Sequence, residues 1–235
     1  MSFTAVLYEK EGPLAIVALN RPKMMNAYNV RMRDDLYQIL CAVRDDPEVR
    51  VMILRGEGPA FSTGGDVSEF GSAPSPTRAR EIRWQRNVWG TLLTLPQPTI
   101  AAVHGFTVGG GMEMALLCDF CIAADDAIFF LPETTLGMIP GVAGTQTAPR
   151  AIGLGRALDM VLTGKRVNAQ EAHQIGLANR IVPRETLLTA AKSLAYTLAK
   201  HDPRVLALAK RAIRHGADLS LAEGLQLEQR IFALL

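Results

Sequence analysis

The chain has little of most things that would place it quickly. Of its 235 residues only three are cysteine. That number is odd and too small for a disulfide scaffold, so a reducing cytoplasm is expected. Aromatic residues make up 6%, which offers few platforms for sugars and speaks against a glycosidase built on a carboxylate pair. No charge of one sign dominates: 25 basic residues face 23 acidic ones, a net of +2. That is no footprint for nucleic acid, and no basic stripe stands out. No apolar run approaches the roughly 20 residues needed to span a bilayer, so no membrane association is expected. Met1-Ser2-Phe3-Thr4 has neither signal-peptide nor transit-peptide character. No repeat of fixed period is present. The phosphate-binding G-x-x-x-x-G-K motif is missing, and G-x-G-x-x-G counted from Gly109 fails at Met114.

What is present is 49% hydrophobic residues, enough for a sizeable core in one large domain, or one domain with an appendage. Short apolar strands alternate with helical patterns. Leu14–Leu19, Val49–Leu54, Pro98–Val103, Phe120–Ala123 and Ile128–Phe130 read as strands. Between them, Leu36, Ile39, Leu40 and Val43 recur at helical spacing within a pattern running from about Val30 to Val43. Such alternation predicts α/β layering with much parallel pairing. Gly71–Thr77 is turn-rich. Beyond Pro183 helical runs dominate, over Glu185–Lys200, Pro203–His215 and Leu221 to the end. Asp202 suits a cap before Pro203, and Gly216 suits a stop. The division expected is therefore an α/β core over 1–183 and a helical tail over 184–235.

Two glutamates sit in unusual company. Glu113 interrupts an apolar run that opens with Gly109-Gly110-Gly111, and Glu133 follows Phe129-Phe130-Leu131-Pro132. Carboxylates in such surroundings are candidates for raised pKa values and for acid–base work, a salt-bridged or capping residue being the lesser alternative. The glycine triplet opens a helix after a strand. Free N–H groups there would attract an anion, or the glycines could simply allow tight packing. A second glycine site, Phe61-Ser62-Thr63-Gly64-Gly65-Asp66, also follows a strand. Gly64-Gly65 would let the backbone approach a ligand, and Asp66 would cap a helix containing Val67, Glu69 and Phe70. Two such loops aimed at one point would make a two-donor oxyanion hole, each donor worth roughly 3–4 kcal/mol; spacing alone does not show that they converge.

Other groups carry less. Cys118-Asp119-Phe120-Cys121 spells C-x-x-C, but no second pair or nearby His supports zinc, and two core thiols are expected. His104 reads as structural, and His173, His201 and His215 as solvent-facing. Trp84 and Trp89 read as packing residues that could alternatively line an acyl pocket. Ser62 lacks the G-x-S-x-G elbow of a nucleophile.

Taken in order, four stretches resemble the crotonase family, the enoyl-CoA hydratase/isomerase superfamily. They are Leu19-Asn20-Arg21-Pro22-Lys23 with Asn26-Ala27, then Ala60–Asp66, then Gly109–Ala115, then Pro132–Gln146. Leu162-Thr163-Gly164 and Gly176-Leu177 also fall in the family's order, so the resemblance covers nearly the whole chain. It implies a spiral of ββα turns with a C-terminal helical oligomerisation region, assembled as a homotrimer or a dimer of trimers. It implies acyl-CoA thioester substrates and no metal or redox cofactor, coenzyme A being part of the substrate. By motif position the oxyanion donors are the N–H groups of Gly65 and Gly110, where the family more often has alanine at the position of Gly65. Asp66, Val67 and Ser68 continue the loop that lines the bound CoA. Lys23, with the backbone of Met24 and Met25, falls where the family holds the nucleotide portion.

The two glutamates fall on the two carboxylate positions of the hydratases. Adding water across a double bond conjugated to a thioester builds an enolate, takes a proton from water as oxygen attacks Cβ, and delivers one to Cα. Glu113 is assigned to water activation and Glu133 to Cα protonation. An isomerase needs only one such group, so the pair favours a hydratase. An isomerase, a cyclic dienoyl-CoA hydratase or a non-catalytic acyl-CoA-binding relative are the alternatives. The family usually carries about one more helix beyond the point where Leu235 stands, so a truncated tail is expected.

Overall fold

A computed structural model of the chain describes residues 3–235. The elements in order are β1 (Val6–Glu11), β2 (Leu14–Leu19), α1 (Val30–Asp45), β3 (Val51–Gly56), α2 (Pro76–Gln85), α3 (Val88–Thr94), β4 (Thr99–Val103), β5 (Phe106–Val108), α4 (Gly110–Leu117), β6 (Phe120–Ala124) and β7 (Ile128–Phe130). There follow α5 (Gly144–Ile152), α6 (Leu154–Thr163), β8 (Val167–Asn168), α7 (Ala169–Gln174), β9 (Arg180–Val182), α8 (Leu187–Ala199), α9 (Pro203–Gly216) and α10 (Leu221–Phe232).

Two sheets result. One has the order β1-β2-β3-β4-β6-β9 and the other β5-β7-β8. Every pairing from β2 to β9 in the large sheet is parallel, and only the β1–β2 hairpin is antiparallel. Two successive ββα units send their first strand to the large sheet and their second to the small one: β4 then β5, β6 then β7. Repetition of that step winds the chain into the ββα spiral.

The large sheet is buried on both faces, which is why its central strands read as unbroken apolar runs. One face meets Met32, Leu36, Ile39, Leu40 and Val43 of α1, together with Phe61 and Met112. Asn29 starts α1 by accepting a hydrogen bond from Met32 N at 2.9 Å. The other face, carrying Val51, Ile53, Ile100 and Ile122, is covered by α8 through Leu187, Ala191, Ala195 and Ala199. The small side chains of that stripe let the helix lie close to the strands. Helices α9 and α10 pack chiefly on each other. The Arg214 guanidinium ties α9 to Asp119 at 2.7 Å, and Lys210 reaches the same carboxylate at 2.6 Å.

The strand starting at Val49 in the sequence reading begins at Val51, because Arg50 N and Val51 N both turn to Pro13 O. Four strands, β1, β5, β8 and β9, have no counterpart among the strands expected from the sequence; they are short or carry charged residues that break the apolar pattern. Among the described residues no helix is long and apolar enough to cross a membrane.

Candidate active site

The loop after β3 and the start of α4 meet. Ser62 bridges to Thr107 of β5, which lays the 61–66 loop alongside the second glycine segment. Contact is so close that a Cβ at Gly64 would stand 2.9 Å from Gly110 N and 2.9 Å from Val108 O; Gly64 also has φ +85°. Only glycine fits there. A Cβ placed on Gly110 would lie 3.7 Å from Gly65 N, so the two main-chain amides singled out in the sequence are near neighbours.

Both amides are left over by the local hydrogen bonding. Tyr28 N donates to Gly64 O at 2.7 Å and Asp66 N donates to Tyr28 O at 2.9 Å. That parallel bridge turns the N–H of the residue between them, Gly65, away from Tyr28. Gly110 is the first residue of α4, and an N–H at that position has no partner within the helix. Among the described residues neither amide donates to a protein acceptor.

A cavity of about 430 Å³ opens on this junction. Its wall includes Gly65, Gly110, Glu113, Glu133, Tyr28 and Trp89. Tyr28 and Trp89 rest against each other, ring centroids 5.1 Å apart and tilted by 48°. Trp89 therefore serves as both packing and wall, whereas Trp84 is exposed with Arg80 over its ring.

The carboxylates are held very differently. Glu113 is 2% exposed. Its Oε1 accepts three main-chain N–H groups, from Val142 and Ala143 at 3.0 Å each and from Gly144 at 2.6 Å. Gly144 opens α5, Ala143 caps it and Val142 precedes the cap; together their amides satisfy the buried carboxyl oxygen. Ala143 takes φ 147° to present them, a region L-residues rarely visit. Glu133 lies in a 3₁₀ turn, Glu133–Leu136, half-buried. Its Oε2 is buried with no hydrogen-bond partner among the described residues. Burial, assisted by the Glu113 charge, pushes its pKa up to about 7, against one opposing backbone hydrogen bond. Its carboxyl lies against Gly109, where a Cβ would come within 2.6 Å of Oε1.

The other sequence candidates are placed less centrally. Asp66 lines the cavity, but its side chain is committed: Oδ2 pairs with Arg21 Nη1 at 2.9 Å, and Oδ1 accepts Ser68 Oγ at 2.6 Å. Those hydrogen bonds hold its carboxyl below the ordinary range. The helix it was expected to cap is a single 3₁₀ turn, Val67–Glu69, since Phe70 leaves helical geometry at once. Val67 and Ser68 sit on that turn and Lys23, Met24 and Met25 on another, Pro22–Met24; none of the five lies on the cavity wall. The second turn abuts the glycine loop, with Thr63 N donating to Met25 O at 3.1 Å.

Asn26, buried and at φ 55°, fixes that junction by donating to Glu57 O and Ala60 O. Ser62 Oγ bonds to Asn26 O at 2.8 Å, a structural use. His104 is buried against Gly58 O, and burial lowers its pKa. Cys118 and Cys121 are buried free thiols pushed up to about 12 by burial, so they make no redox pair.

The chain from residue 9 to residue 235 matches the family described as Enoyl-CoA hydratase/isomerase. The chain belongs to the enoyl-CoA hydratase/isomerase family. It is 37% identical to a probable enoyl-CoA hydratase of Mycobacterium tuberculosis, over 99% of this chain and 90% of that protein. It is likewise 37% identical to the crotonyl-CoA hydratase of Syntrophomonas wolfei, over 100% of this chain and 90% of the relative. The fold superposes on the crystal structure of enoyl-CoA hydratase from Bacillus anthracis with a TM-score of 0.92, at 36% identity, covering 98% of this chain and 90% of that one. Within this hydratase/isomerase chain, the junction of the two glycine loops is thus the place where two free amides and two carboxyl groups share one cavity.

Proposed function

We propose that this chain is an enoyl-CoA hydratase, a hydro-lyase that adds water across the 2,3 double bond of an enoyl-CoA thioester. One observation carries the reading: the unpaired amides of Gly65 and Gly110 and the carboxyl groups of Glu113 and Glu133 border the same cavity.

The chemistry follows from what each group can do. The thioester oxygen enters between the two amides, which stabilise the charge that develops there as the enolate forms. Glu113, whose Oε1 is tied to three amides, accepts a proton from water as the hydroxyl bonds to Cβ. Glu133, held near pKa 7, keeps its proton at neutral pH in a sizeable fraction of molecules and passes it to Cα. The enolate collapses to the 3-hydroxyacyl thioester, and proton exchange resets both acids.

The exposed turn Lys23-Met24-Met25 beside the glycine loop would carry the nucleotide part of CoA, and Asp66, Val67 and Ser68 its connecting arm. No metal or redox cofactor enters this scheme. The free thiols are in keeping with a reducing cytoplasm, and the reaction fits fatty-acid metabolism. The apolar surfaces left exposed on α9 and α10 suit assembly into a trimer or a dimer of trimers.

Crotonyl-CoA supplies the test. Loss of absorbance of the conjugated thioester should track protein concentration. Glu113→Gln should lower kcat by about 10²–10⁴-fold while CoA-ester binding survives. An unaffected rate in that variant would overturn the role assigned to Glu113.

A further inference from the structure

The cavity has a charged sector that the hydration chemistry does not use. Arg33 and Arg86 both line it, with Glu69 beside them. Neither arginine is a surface accident, since both are held by one carboxylate, Asp34. Arg33 Nη2 meets Asp34 Oδ1 at 2.6 Å, and Arg86 Nη1 meets Asp34 Oδ2 at 2.7 Å. Arg33 Nη1 is further steadied by Ile82 O at 3.3 Å. Asp34 itself is not part of the wall; it stands behind the two guanidinium groups and orients them. Glu69 is committed elsewhere, its Oε2 accepting Val30 N at 2.8 Å at the start of α1. The wall at this point therefore presents two guanidinium groups, paired from behind by Asp34, beside one engaged carboxylate, Glu69. Arg86 meets Asp34 through Nη1, which leaves donors of its planar fork for a ligand.

Position says which part of a substrate would meet this sector. Tyr28 is hydrogen-bonded to the loop that carries Gly65, and α1 leaves from there. Arg33 comes three residues after Val30, about 5 Å further along the helix axis. Aromatic and aliphatic side chains, among them Tyr28, Trp89 and Ile82, line the same cavity. A thioester anchored at Gly65 and Gly110 would thus run its acyl chain past apolar groups and end near the arginines. The Lys23 turn, assigned to the nucleotide, lies off this wall.

We propose that Arg33 and Arg86, set by Asp34, form a distal anion subsite, and that this hydratase takes 2-enoyl-CoA thioesters whose acyl chain ends in a carboxylate. The inference rests on the hydratase reading and deepens it. A guanidinium fork in a largely apolar cavity binds a carboxylate in two parallel hydrogen bonds. A neutral methyl end leaves those donors unmatched, which is where discrimination arises.

Two six-carbon substrates decide it: the 2-enoyl-CoA ending in methyl, and the mono-CoA thioester of the 2-enedioic acid. In the unmodified protein kcat/KM should favour the carboxylated thioester by at least about tenfold. Arg86→Gln should collapse that ratio by about tenfold or more, chiefly through KM, and Arg86→Lys should restore part of it. Asp34→Asn should lower the same ratio with both arginines still present. A preference for the neutral substrate, or a loss in Arg86→Gln equal for both thioesters, would overturn the subsite; the second result would mean that the arginine serves the shared CoA moiety or only the fold. Turnover of the neutral thioester without the preference sinks this inference alone. No turnover of either sinks the hydratase reading beneath it.

Discussion

Glu133 is the residue on which pH should act. Its pKa near 7 stands against an ordinary 4.5, raised by burial. A raised carboxyl keeps its proton, the donating form, below about 7 and loses it above. The free-enzyme profile, kcat/KM against pH, should therefore fall above about pH 7, approaching tenfold per unit. Stability moves the same way. Ionising a half-buried carboxyl penalises the folded state, and that penalty grows from about pH 4.5, where the unfolded chain releases its proton, to its full size above about pH 7. Glu133→Gln removes it. The variant should gain thermal stability over the parent at about pH 8 and show little difference at about pH 4. A melting difference independent of pH would show that the carboxyl is not titrating as described. Glu113, by contrast, keeps three amide donors on one oxygen.

Among the elements, the turn before α5 is the most strained part of the site. Ala143 holds φ 147° so that three consecutive amides can converge on Glu113. Glycine adopts that backbone without a Cβ clash, at the cost of some chain entropy in the unfolded state. Ala143→Gly should therefore stabilise the protein by about 1 kcal/mol in urea unfolding; a loss of similar size would mean that the methyl packs better than the backbone suffers. The elements also show why some were easy to anticipate. β2 and β4 are buried along their whole length and read as apolar runs, and α1 buries one clean stripe. Among its described side chains α2 has none fully buried, so no periodicity announced it. β5 and β8 have three and two residues, too short for alternation to show.

At the scale of the molecule, α9 and α10 expose more apolar surface than a lone chain tolerates well. Ile213 and Phe232 are each 73% exposed and Leu221 81%. These helices pack chiefly on each other, so in the proposed trimer their outer faces would be covered by a second copy. Light scattering should give a mass that is a multiple of three chains. Leu221→Asp combined with Phe232→Asp should shift it to a single chain; a monomeric parent would remove oligomerisation from the proposal.

Residue types and their immediate neighbours were enough for the class of fold, for the family, and for bringing forward the two glycine loops and two glutamates that border one cavity, because glycine pairs and isolated glutamates in apolar runs are local features. Three properties of the site arise from contacts distant in the chain and have no local signature. The approach of Gly64 to Gly110 depends on the Ser62–Thr107 bridge. The contrast between Glu113, whose Oε1 is held by three amides around the start of α5, and Glu133, with one oxygen unpartnered, depends on where two later turns come to rest. The sharing of Asp34 by Arg33 and Arg86 depends on α2 lying against α1. Hydrogen bonds and charges act over a few ångströms in space, and the chain meets itself at those distances only after the spiral has closed.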